Sequence, residues 1–151
     1  ANEPTNVFPL REIIERLSNL DTLALTSKSF DFTRSDCFAQ GQGNAGKAVS
    51  MLQFEPNGGF SVRYNSYRFS LNERACNAAA RAFNAFQKAL STAQPLTFAL
   101  QPDSALLINN SRALHGRDKV QDNRRLLIRQ FGYSPFAVPL VLAEDPLLVR
   151  G

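Results

Sequence analysis

The apolar positions of the chain change their period several times, and each change marks a candidate element. Residues 9–19 (PLREIIERLSN) place Leu10, Ile13, Ile14 and Leu17 at helical spacing, with Pro9 suited to a first turn. A short alternating segment follows, in which Phe30 and Phe32 point the same way. Residues 39–46 (AQGQGNAG) are polar and glycine-rich, as a loop is. The run KAVSMLQF, the turn signal PNGG at 56–59 and the run GFSVRYNSYRF together predict a β-hairpin.

Asn72 is then placed to cap a long helix over 73–91, whose apolar stripe is Ala75, Ala79, Ala82, Phe83, Phe86 and Leu90. Pro95 ends that pattern. PLTFAL alternates Leu96, Phe98 and Leu100, QPDS reads as a turn, and ALLIN (105–109) as a buried strand. A polar loop, NSRALHGRDKVQDN, leads into the strand RRLLIRQFGY (124–133). From Ser134 the tail is apolar and proline-punctuated, and it is expected to pack across the body. The order predicts a mainly β, α+β protein: an antiparallel sheet or barrel with helices packed outside. No regular β-α-β alternation appears, which argues against a doubly wound parallel fold.

Composition narrows the class without naming a chemistry. The 151 residues are one domain's worth, 44% hydrophobic and 20% charged, as in ordinary globular proteins. No stretch approaches the roughly 18 apolar residues of a membrane helix. The segment ANEPTNVFPL has neither a basic leader nor an apolar signal core, and no initiator methionine, so a trimmed or internal start is expected. The net charge of +4 comes from scattered arginines, without the aromatic-basic interleaving of nucleic-acid modules. Cys37 and Cys76 make no disulfide framework; two such thiols suit a reducing, cytoplasmic setting. Neither a membrane nor a nucleic-acid partner is expected.

The segment from Leu106 to Tyr133 carries the chemistry. With a period of two, Arg125, Leu127, Arg129 and Phe131 share one strand face. Guanidinium groups on an interior face need anionic partners, and few carboxylates lie nearby in the chain. A bound dianion gripped in a bidentate contact would answer that need. His115, the only histidine, lies ten residues before Arg125. Neutral imidazole is a common ligand of iron, zinc or copper, and one corner of a two-histidine-one-carboxylate triad.

The stretch NNSRALHGRDKVQDNRRLLIRQF resembles the C-terminal signature of the taurine dioxygenase and clavaminate synthase-like group of 2-oxoglutarate oxygenases. Asn110, Arg112, Leu114, His115, Gly116, Arg117, Arg125 and Arg129 fall on its pattern in order. The resemblance is strong over 28 residues and weak over most of the chain. It implies a double-stranded β-helix (jelly roll), clavaminate synthase-like and incomplete here, with residues 1–151 as the C-terminal portion of a single oxygenase domain. It further implies that His115 is the distal iron(II) ligand and that Arg125 grips the distal carboxylate of 2-oxoglutarate. Arg129 would face a small, anionic substrate. The implied reaction uses O2, hydroxylates the substrate and releases succinate and CO2; desaturation or ring closure use the same intermediate.

One departure stands out. The group's other two iron ligands come from an upstream His-x-Asp or His-x-Glu motif, and this sequence has no second histidine. The expected partner is therefore the N-terminal half of the same domain, or another chain carrying those ligands. The alternative is a non-catalytic, degenerate relative that kept the arginine strand as an anion-binding or interaction module. Arg112 and Arg117 are expected to order the histidine loop through salt bridges. Arg63, Tyr64 and Arg68 would either line the substrate side or sit on a solvated hairpin. GQGNAGKA (41–48) has the spacing of a phosphate-binding loop, but Ala48 stands where a hydroxyl is needed and a strand is expected to follow.

Overall fold

The computed structural model describes residues 3–33, 46–56, 58–117, 128, 130, 132, 140–142 and 145–150. The chain opens with β1 (Thr5–Pro9), then two short helices, α1 (Leu10–Ile14) and α2 (Asn19–Leu25). Strands β2 (Phe30–Phe32), β3 (Gly46–Val49), β4 (Leu52–Phe54), β5 (Phe60–Val62) and β6 (Phe69–Leu71) precede α3 (Asn77–Thr92). Strands β7 (Leu96–Phe98), β8 (Ala113–Arg117), β9 (Leu140–Leu142) and β10 (Asp145–Arg150) complete the described elements. Strand order is β7-β1-β8 in one sheet and β3-β2-β6 in a second, with β4-β5 and β9-β10 as pairs. Every pairing is antiparallel. The protein is thus mainly β with helical insertions, as its sequence predicts.

Local chemistry explains most boundaries. The predicted helix over 9–19 is broken after Ile14, because Ser18 starts a new one: its hydroxyl accepts from the Asp21 amide at 3.1 Å and donates to the Asp21 carboxylate at 2.6 Å. Arg81 of α3 donates to the same carboxylate at 3.0 Å and so ties α2 to α3. The helix predicted from Asn72 instead begins at Asn77, with Cys76 at its cap. Asn72 makes a separate local turn, its Oδ1 accepting from the Arg74 amide at 2.9 Å, while its Nδ2 donates to both Asp31 carboxylate oxygens at 2.8 and 3.0 Å.

The predicted hairpin forms between β4 and β5, but KAVSMLQF is two strands: β3 pairs with β2, and β4 with β5. Ala48 takes a left-handed φ of 51°, unusual for a residue with a Cβ, and its amide donates to Asp31 at 2.8 Å. The core lies between α3 and the strands. Phe30, Phe86, Ile13, Leu25, Met51 and Leu52 are fully buried within it. Ala79, Ala82, Phe83 and Phe86 of the predicted α3 stripe point inward. The ALLIN segment is not a strand; Leu107 is 98% exposed, while Leu106 and Ile108 are half-buried. The tail forms the β9–β10 pair.

Candidate functional site

The polar loop predicted over 110–123 is in part a strand. A turn at Asn109 starts it: the Asn109 carbonyl accepts from the Arg112 and Ala113 amides at 3.0 and 3.1 Å, and Oδ1 accepts from the Ser111 hydroxyl at 2.8 Å. The turn is pinned on two sides, because the Val62 amide donates to the Ser111 carbonyl and the Leu10 amide to the Arg112 carbonyl, both at 2.9 Å. Arg112 Nη1 adds a hydrogen bond to the Phe60 carbonyl. Burial pulls the Arg112 pKa below its ordinary value, and the Glu55 charge partly opposes that. From this anchored turn β8 runs antiparallel to β1 with five residue pairs in register.

That register fixes what faces what. Val7 opposes His115, Thr5 opposes Arg117 and Pro9 opposes Ala113, so these six side chains share one face. Leu96 and Phe98 of β7 oppose Val7 and Thr5 and extend the same face. Phe8 and Leu114 point the other way, against the core. Toward its Ala113 end the face carries an open apolar groove of about 190 Å³ lined by Val7, Leu96, Phe98, Leu106, Ile108 and Arg112; His115, half-buried in mid-strand, does not itself line it. Gly116 turns away from that face, and a Cβ there would meet nothing within 4 Å.

Arg117 and Arg112 do position β8, but through neutral acceptors rather than the expected salt bridges. Arg117 Nη2 donates to the Thr5 hydroxyl at 2.8 Å. Arg125 and Arg129 lie outside the described residues, so among those residues His115 is the one predicted site residue with a position. Ile128 and Gln130, on the opposite face of the predicted arginine strand, are both exposed. No group of three or more His, Cys, Asp or Glu side chains able to hold a metal exists among the described residues. The described donors therefore do not make up an iron centre by themselves.

The other candidates resolve into structure. Tyr64 packs its ring 5.1 Å from Phe86 and 6.0 Å from Phe69, within the core. Arg63 is exposed, with its guanidinium 5.6 Å over the Phe32 ring. The phosphate-loop spacing leads into β3 rather than a helix, and the Ala48 amide is taken by Asp31. The apolar spacing does not predict β1, whose Thr5 and Val7 pair with Arg117 and His115. The signal was there: Thr5 and Val7 alternate with Asn6 and Phe8 as a strand requires. No described helix is long and apolar enough to cross a membrane.

Comparison with solved structures places the fold. The chain is similar to an asparagine oxygenase in complex with Fe(II), 2S,3S-3-hydroxyasparagine and succinate, at 19% identity and a TM-score of 0.64. That match covers 82% of this chain and 37% of the other. It is also similar to the non-heme iron oxygenase OrfP with Fe, succinate and (3S)-hydroxy-L-Arg: 19% identity, TM-score 0.57, 81% of this chain and 36% of that one. The same oxygenase with Fe and alpha-ketoglutaric acid matches at 18% identity and 0.57, over the same shares. The chain thus spans less than two-fifths of the length of these structures. Comparison with curated proteins finds no match. The sequence profile that does match covers residues 12–130, from α1 through β8 and on past Arg125 and Arg129, and on that extent the chain belongs to the taurine catabolism dioxygenase TauD, TfdA family.

Proposed function

We propose that residues 1–151 are the C-terminal portion of a single jelly-roll oxygenase domain that uses iron(II) and 2-oxoglutarate. The protein hydroxylates a small, anionic molecule and releases succinate and CO2. Hydroxylated amino acids occupy the similar asparagine oxygenase and OrfP, which supports an amino acid as the substrate class. In this reading His115 is the distal iron ligand, Arg125 holds the distal carboxylate of 2-oxoglutarate, and Arg129 meets the substrate. The observation that carries it is His115 itself. It stands on a pinned strand, on the sheet face that bears the groove, inside the segment matched by the family. The remaining ligands come from the rest of the domain or from another chain, in a cytoplasmic protein.

When bound, iron chelated by 2-oxoglutarate would supply the oxidising chemistry; this chain's part is to present one imidazole on β8 and to hold the anions through its arginines. The test is anaerobic titration of iron(II) and 2-oxoglutarate into a protein that includes the missing ligands. The chelate's visible charge-transfer band should appear, should vanish in His115→Ala, and should be absent for the 151-residue chain alone. Arg125→Ala should weaken 2-oxoglutarate by about 3 kcal/mol, roughly a hundredfold. A completed protein that shows no band ends the enzyme reading. The second reading is a non-catalytic anion-binding module. It predicts carboxylate binding without the band.

A further inference from the structure

We propose that Arg117 is a second anion-binding residue of the His115 face and receives the carboxylate of a bound small molecule. The inference rests on the proposed function for its location, two positions along the strand from His115. On a β-strand that spacing puts the two side chains on one face about 7 Å apart. Arg117 is half-buried, and the residue under it, Thr5, is buried with only 6% of its surface exposed. The Thr5 hydroxyl accepts from Nη2 at 2.8 Å and holds the guanidinium in one orientation.

That contact leaves the charge unanswered. Threonine is neutral, and no carboxylate pairs with Arg117 among the described residues. Nε is shielded from solvent and has no hydrogen-bond partner there. The guanidinium is therefore partly desolvated at Nε, while no described residue compensates its charge. A desolvated cation favours an anionic partner, and a planar fork whose Nη1 has no hydrogen-bond partner among the described residues suits a carboxylate. Because Thr5 already fixes the side chain, a ligand meets a pre-ordered donor set and loses less on ordering it. The other described arginines with acidic partners, Arg11 on Glu15 and Arg81 on Asp21, are satisfied within the protein.

A carboxylate at this place belongs either to the prime substrate or to the co-substrate, and metal-free titration separates the two. In the 151-residue chain with ¹⁵N-labelled arginine, the shielded Nε–H of Arg117 is identified by its loss in Arg117→Lys. Acetate should shift it saturably, and chloride at equal ionic strength should not. Arg117→Gln should weaken acetate binding at least tenfold, read at the His115 and Gly116 amides; Arg117→Lys gives the same reading if the glutamine variant does not fold. Tighter binding of succinate than of L-asparagine assigns the co-substrate carboxylate, and the reverse order assigns the substrate carboxylate. A resonance unmoved by acetate, succinate and L-asparagine, or moved equally by chloride, overturns the proposal. No metal enters this titration, so its failure leaves the iron reading standing, and a missing chelate band leaves Arg117 standing.

Discussion

Replacing Arg112 by methionine tests whether the clasp before β8 holds the histidine strand in place. The substitution removes the hydrogen bond from Nη1 to the Phe60 carbonyl and keeps a side chain of similar length along the groove. A hydrogen bond from a charged donor contributes about 1.5–3 kcal/mol, and losing it leaves a backbone carbonyl short of a partner. Two effects reduce the loss. Arg112 is only half-buried, so water can replace part of the contact, and burial of its charge is itself unfavourable. The expected net destabilisation is therefore about 1–2 kcal/mol, a fall in Tm of roughly 3–6 °C for a chain of this size. Calorimetry reads the global change, and hydrogen exchange reads the local one. The Val62 and Leu10 amides, bonded to the Ser111 and Arg112 carbonyls, should lose protection first. A Tm within about 1 °C of the parent, with both amides equally protected, would refute the clasp.

Two other predictions concern the frame around the site. Phe86 is fully buried and meets the Tyr64 ring edge-on at 5.1 Å, so Phe86→Ala should cost about 3–5 kcal/mol in urea unfolding, and a loss below about 1 kcal/mol would contradict the packing. The Ala48 amide, and after it the Asn72 side chain, hold the Asp31 carboxyl below its ordinary pKa of 3.8. A depressed folded pKa means that this stabilisation is complete above the unfolded value and is lost as pH falls through the folded one. The unfolding midpoint of the parent should therefore exceed that of Asp31→Asn by a constant amount near neutrality, and the gap should close below about pH 4; a gap that persists unchanged to pH 3 would reject the link.

How much of this was legible depended on the range of the interaction concerned. α3 was legible because its apolar stripe repeats within one helix, and Ala79, Ala82, Phe83 and Phe86 are buried as that period requires. The β4–β5 hairpin was legible because its turn signal lies between its own strands. The helix break before α2 had a local signature, Ser18 followed three residues later by Asp21, which the apolar spacing through Leu17 concealed. Asn72 misled in the opposite sense. Its Oδ1 does accept from the Arg74 amide as a capping residue's would, but that turn does not propagate and α3 starts only at Asn77; its Nδ2 is held by Asp31, 41 positions away, a contact that no window around residue 72 contains.

The same reasoning explains why the site's chemistry was easier to read than its geometry. The residues around His115 are consecutive, so their identities carry the family signal wherever the backbone goes. That they form a strand depends on β1, which begins more than a hundred positions earlier and whose pairing is dictated by no local pattern near His115. Once that pairing is in place, it decides the electrostatics as well. The Thr5–Arg117 contact joins side chains 112 positions apart, and it converts an expected salt bridge into a neutral clamp on a cation. A carboxylate partner at Thr5's position would have neutralised Arg117 and closed the face to anions. Threonine instead orients the guanidinium without neutralising it, so under the proposal for Arg117 the β1–β8 register, as well as the histidine motif, sets what this face can bind.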